Sequence, residues 1–110
     1  IQVSRNDGAN SLHGGAQGFD RRLWTVEALD EGEAPAVTLA LTSPHGDQGY
    51  PGTLRATATF RLEPPATLAI AYTATTDRPT VVGLTSHAYW NLAGGGTAMD
   101  HLLTIPADHM

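Results

Sequence analysis

The chain has no cysteine, so a disulfide framework and any thiolate metal site are excluded before the order of its residues is considered. Basic residues are almost as scarce, with six Lys plus Arg against eleven Asp plus Glu and a net charge of −5. Neutralising phosphates and releasing their counterions takes a clustered basic surface, so nucleic acid is not an expected partner. No apolar stretch approaches the ~18 residues of a membrane span, and no charged start runs into an apolar segment, so no membrane partner is expected either. Helical periodicity is also missing. No window carries an apolar stripe at i, i+3, i+4 and i+7 between recognisable caps, and no helix is predicted. The first residue is Ile1 rather than methionine, and Ile1 to Ser4 already reads as a strand, so the 110 residues are expected to be an internal portion of a longer protein.

Glycine and proline are what the sequence has in quantity, 12 and 7 respectively, clustered between apolar runs. That punctuation belongs to an all-β chain. From Leu54 to Leu62 the side chains alternate, with Leu54, Ala56, Ala58, Phe60 and Leu62 on one face and Arg55, Thr57, Thr59 and Arg61 on the other. Glu63-Pro64-Pro65-Ala66 turns the chain, and Thr67 to Thr75 resumes with Leu68, Ile70 and Tyr72 on one face, which predicts an antiparallel hairpin. Leu23 to Leu29 and Val37 to Thr42 read as two earlier strands around a charged turn, and Val81 to Leu84 and Leu102 to Ile105 as two later ones. Six or seven short strands predict a sandwich or barrel.

Against that scaffold one loop is built differently. Asn10 to Asp20 sets His13 among Gly14, Gly15 and Gly18 and closes on Phe19 and Asp20, with Trp24 just beyond. Glycines there permit positive φ and close backbone approach, so a small polar molecule can lie against the main chain within reach of the imidazole. The plainer alternative is a turn histidine satisfied by carbonyls. His87 stands in Thr85-Ser86-His87-Ala88-Tyr89-Trp90-Asn91, an order that ends a strand and puts Tyr89 on the same side. An imidazole, a phenol and a nearby indole make a plausible sugar wall; a core Trp90 with an idle His87 is the alternative. A third stretch, His45 to Leu54, is a long polar turn placed to wall a site.

Other chemistries find less support. His45, His101 and His109 sit in separate turns without zinc-ligand spacing, so no metal is expected. Neither glycine run is followed by the Lys-Ser/Thr of a phosphate loop, and neither Ser43 nor Ser86 occupies a nucleophile elbow.

Three separated motifs, Asn10-Ser-Leu-His-Gly-Gly with Gly18-Phe-Asp and Trp24, Ser43-Pro-His-Gly-Asp-Gln-Gly-Tyr-Pro-Gly-Thr-Leu54, and Thr85-Ser-His-Ala-Tyr-Trp-Asn-Leu-Ala-Gly94, occur in that order over most of the chain. Together they resemble the aldose 1-epimerases, or galactose mutarotases. The resemblance implies a large antiparallel β-sandwich of the galactose mutarotase-like supersandwich type, of which residues 1–110 are a partial domain. It implies a cytoplasmic isomerase of hexose metabolism, with export left open, acting on aldose sugars such as galactose and glucose. No cofactor is implied, because side chains make both proton transfers. Carried over motif by motif, His87 is the general acid on the ring oxygen, His13 the cleft histidine that bonds the sugar and polarises the same region, and Tyr89 a substrate contact. Ser86 stands where the family commonly has asparagine, Trp90 where phenylalanine is usual, and His45 and Gln48 where acidic residues are frequent. The family's catalytic base is a glutamate that matches none of the eleven carboxylates present, its sugar-binding aspartate lies downstream of Met110, and its Asn-Arg pair lies upstream of Ile1. The isolated chain is therefore expected to be inactive in mutarotation. The alternative function is that of a non-catalytic carbohydrate-binding relative.

Overall fold

The computed structural model describes residues 1–109, and the expected partial domain at 1–110 therefore extends one residue, Met110, outside them. Its regular structure is all-β. Four strands, β1 (Thr25–Asp30), β2 (Ala36–Ser43), β3 (Leu54–Glu63) and β4 (Thr67–Thr76), form one antiparallel sheet in the order β1-β2-β3-β4. Single 3-10 turns at Phe19–Arg21 and Asp47–Gly49 are the only helical elements among the described residues.

The register follows from the alternation in the sequence. Ala58 faces Leu39 of β2 and Tyr72 of β4, and Phe60 faces Val37 and Ile70, so apolar side chains line one face. On the other face Thr59 faces Thr38 and Thr57 faces Thr73, and each pair closes an Oγ1 to Oγ1 hydrogen bond, at 2.9 and 2.6 Å. Mutual bonding satisfies hydroxyls that would otherwise be costly where the sheet is covered, as at buried Thr57. A bulge between Val26 and Ala28 shifts β1 by one residue, which carries Glu27 to an ion pair with Arg55 of β3.

Burial is uneven along the strands. At the hairpin tips Leu29, Leu62 and Leu68 are exposed, whereas Leu41, Leu54, Ala56 and Ala58, toward the opposite end, are buried. The core lies at that end because three irregular segments gather there. The turn after β2 and the segment after β4 are tied together by the Thr53 amide, which donates to Asp77 Oδ1 at 2.7 Å.

Three expected strands are not formed. Ile1 to Ser4, Val81 to Leu84 and Leu102 to Ile105 are irregular, as is the stretch around His87. A strand is a pairing relation as much as a sequence preference, and none of these segments has a partner strand among the described residues. Leu102 is 99% exposed and Val81 68%. The first segment instead docks on the turn after β2, where the Ser4 amide donates to the Gln48 carbonyl at 2.7 Å.

Candidate functional site

The loop that precedes β1 is shaped by one asparagine. The Asn6 side chain accepts from the Leu12 amide at 2.8 Å and donates to the carbonyls of Leu12 and Gly15, both at 3.0 Å. These bonds bracket His13, whose φ of 52° is left-handed, a sparsely populated conformation that histidine adopts more readily than most residues. Gly18 closes the loop from the other side. A Cβ there would stand 2.3 Å from the His13 carbonyl oxygen, so only glycine lets the two backbones approach. Trp24 seals the base of the loop, with its indole N–H on the Phe19 carbonyl at 2.9 Å and its ring edge-on to Phe19.

The turn after β2 forms the second wall. Gly46, at φ 83°, and Gln48, at φ 50°, fold Asp47–Gly49 into its 3-10 turn. Asp47 is the anchor. Its carboxylate accepts from Ser43 Oγ at 2.6 Å and from Arg22 Nη2 at 2.6 Å, and its side chain is only 8% exposed. Burial works to raise the Asp47 carboxyl, but the hydrogen bonds from Ser43 and Arg22 and the Arg22 charge outweigh it, so the pKa lies below the ordinary carboxylate value. His45 accepts the Gly52 amide on Nδ1 at 2.8 Å, a bond that requires that nitrogen unprotonated and holds the far end of the turn.

Between these walls and the segment after β4 lies an open cavity of about 640 Å³. Such a volume suits a small ligand. His13, Asp20, Asp47, Gln48 and His87 supply polar groups to its lining, and Phe19, Tyr50, Leu54 and Val82 supply apolar surface. A second concavity of about 430 Å³ lies at the β3–β4 hairpin among Glu33, Pro35, Pro64 and Pro65, and holds no imidazole.

The fold brings the two histidines together across 74 residues of sequence. Their ring centroids are 5.2 Å apart, nearly perpendicular, and the Tyr89 ring lies 5.2 Å from that of His87. His13 and His87 line the cavity, whereas Tyr89 is 91% exposed and stands outside its lining, in contact with His87 alone of the pair. The stretch is not a strand, so the alternation that was to turn Tyr89 inward does not operate. Trp90 is 64% exposed, which removes the reading of it as a core residue in this chain. Among the described residues no three His, Asp or Glu side chains are grouped to hold a metal, and no helix is long and apolar enough to cross a membrane. The arrangement presents two proton-transfer groups on the wall of a cleft otherwise lined by hydrogen-bonding and apolar surface, which suits acid–base chemistry on a polyhydroxylated molecule.

Sequence reasoning missed Asp47 and Arg22, the ion pair that joins the two walls. The partners lie 25 residues apart, and nothing local marks them as a pair. The signal available was Ser43 four residues before Asp47 inside the polar motif.

The family model described as aldose 1-epimerase matches residues 1–110. A galactose mutarotase of Sus scrofa is 44% identical over 109 residues, covering 97% of this chain and 30% of the relative. An aldose 1-epimerase of Escherichia coli K12 is 41% identical over 109 residues, 98% of this chain and 31% of the relative, and a galactose mutarotase of Homo sapiens is 43% identical over 105 residues, 94% and 29%. The chain thus spans about 30% of the length of the curated relatives it matches. Matched along its whole length, with the three motifs folded around one cleft, the chain belongs to the aldose 1-epimerase family.

Proposed function

We propose that residues 1–110 form part of the catalytic domain of an aldose 1-epimerase and supply the His13 and His87 wall of its sugar cleft. The observation that carries this reading is the 5.2 Å approach of the two imidazoles at a cavity of about 640 Å³. His87 donates a proton to the ring oxygen of an aldose such as galactose or glucose as a base removes the proton of the C1 hydroxyl. The ring opens, the C1–C2 bond rotates, and the aldehyde recloses on its other face, with the acid and base roles reversed. His13 bonds the sugar and polarises the ring-oxygen region. Tyr89, against His87 from outside the cavity, contacts substrate or holds the His87 ring.

Following the resemblance, we assign the base to none of the carboxylates of residues 1–110. Asp47 lines the cavity but its two oxygens are engaged by Ser43 and Arg22, and Asp20 is exposed at the rim. The isolated 110 residues are accordingly expected not to accelerate mutarotation. The test is polarimetry of freshly dissolved α-glucose and α-galactose with the full-length protein. His87→Asn is expected to lower kcat by about 10² to 10⁴, the usual contribution of a general acid, with sugar binding retained. Unchanged kcat in that variant removes His87 from the acid role. A wild type that binds sugar and leaves anomer exchange at its spontaneous rate is instead the carbohydrate-binding relative.

A further inference from the structure

We propose that Asp47 is a positioning residue for His13, holding the glycine loop in the orientation that sets one imidazole against the other. The inference rests on the epimerase reading for its kinetic consequence but not for its geometry. The carboxylate joins three pieces of chain. Ser43, at the end of β2, donates to Oδ2, and Arg22, at the end of the loop that begins at His13, donates to Oδ1, both at 2.6 Å. The third piece is the turn itself, closed by the Asp47 amide on the Pro44 carbonyl at 3.0 Å.

The same turn makes further ties to the His13 segment. The Gln48 carbonyl accepts the Ser4 amide, and Gln48 Oε1 lies where a Cβ on Gly15 would meet it at 2.7 Å. Sheet hydrogen bonds hold Ser43, whereas residues 1–22 have no strand pairing with the sheet. The rigid element therefore positions the irregular one through Asp47, and the charge-assisted pair with Arg22 is the strongest single tie. Each oxygen of Asp47 already accepts a bond from the protein, which favours a role through His13 over one on the sugar.

The test is a double-mutant cycle in the full-length protein. Asp47→Asn keeps the shape of the side chain and drops its charge, and His13→Asn keeps a residue that tolerates the left-handed backbone. Asp47→Asn alone is expected to lower kcat by about ten- to a hundred-fold, the scale of a 1 Å misplacement, with little change in KM. In the His13→Asn background the same change is expected to cost less than about three-fold, because the group it positions is gone. Equal losses in both backgrounds, or a loss confined to KM, overturn the proposal in favour of general destabilisation or direct sugar contact. A readout independent of activity is the proton nuclear Overhauser effect between the His13 and His87 rings, expected in the wild type and lost in Asp47→Asn. Its persistence in the variant overturns the proposal even if the wild type proves to be no epimerase, whereas an inactive wild type with the effect lost in Asp47→Asn refutes only the epimerase reading. Ser43→Ala, which removes one arm of the clamp, gives the same comparison if Asp47→Asn does not fold. Asp30→Asn, at an exposed ion pair with Arg61, is the control expected to leave both readouts unchanged.

Discussion

Replacing Gly18 by alanine adds one methyl group and tests whether the close approach of two loop backbones matters. Gly18 has φ −65°, which alanine adopts freely, so the substitution introduces no backbone strain of its own. The added Cβ would stand 2.3 Å from the His13 carbonyl oxygen and 2.7 Å from Asp20 Oδ1. The Asp20 carboxylate is the far end of a side chain and can rotate away. The His13 carbonyl cannot, because Asn6 fixes the residues on either side of it. A relaxed C···O contact is about 3.3 Å, so the two backbones must separate by about 1 Å. Overpacking of this kind costs about 1 to 3 kcal/mol. Its kinetic cost follows from the imidazole that moves with the backbone, about a hundred-fold in kcat for a displacement of 1 Å. Polarimetric kcat and KM, with urea unfolding midpoints, on full-length wild type and Gly18→Ala measure both terms. A variant with wild-type kcat and an unshifted midpoint would show that the loop yields freely, and the account of His13 as a rigidly presented group would be wrong.

Two further outcomes follow from the same contacts. The Asp47 carboxyl has a folded pKa below its unfolded value of about 3.9, so its stabilising contribution is fully present above that value and is lost as pH falls through the folded one; the advantage of wild type over Asp47→Asn in urea midpoint should hold constant from about pH 7 to 5 and shrink below about pH 4, and an advantage that persists undiminished at pH 2 refutes the assignment. Trp24→Phe keeps an aromatic against Phe19 but removes the indole bond to its carbonyl, for an expected loss of about 1 kcal/mol by urea unfolding, and an unchanged midpoint would mean the bond contributes nothing.

What the sequence disclosed and what it withheld divide along the range of the interactions involved. The β3–β4 hairpin was legible because its cause is local. The period-two alternation from Leu54 to Leu62 dictates a face, and Pro64-Pro65 dictates where the chain must turn, so the hairpin forms as expected, with Glu63, read as part of the turn, extending β3 by one residue to pair with Thr67. The charged turn between β1 and β2 was legible for the same reason, to within two residues at each strand end. Val81 to Leu84 and Leu102 to Ile105 carry strand-like composition just as clearly, but composition supplies only the capacity to pair. His13 and His87 stood out in the sequence because their surroundings are unusual, and their approach across 74 residues required the fold. Asp47 was passed over because an aspartate in a polar turn is ordinary until Arg22 is seen to reach it.

The site is thus assembled from loops and single 3-10 turns, held to a sheet that supplies almost none of the lining. Only Ser43 and Leu54 of the sheet face the cavity, and both are strand-end residues, flanking the turn that carries Asp47. The β2–β3 connection is therefore the point at which sheet rigidity passes to the loops. Arg22 to Asp47, Ser4 to Gln48 and Gly52 to His45 all end on that connection or lie within it. A loop site achieves the precision of acid–base chemistry only if its supports are short and ionic or backbone-borne, since exposed side-chain contacts of a few tenths of a kcal/mol cannot hold an imidazole against thermal motion. By that reasoning, substitutions in the 43–52 turn should damage catalysis more than equally destabilising ones at the Asp30–Ala36 hairpin tip. The turn transmits its disturbance to His13, whereas the tip stands at the opposite end of the sheet, apart from both histidines.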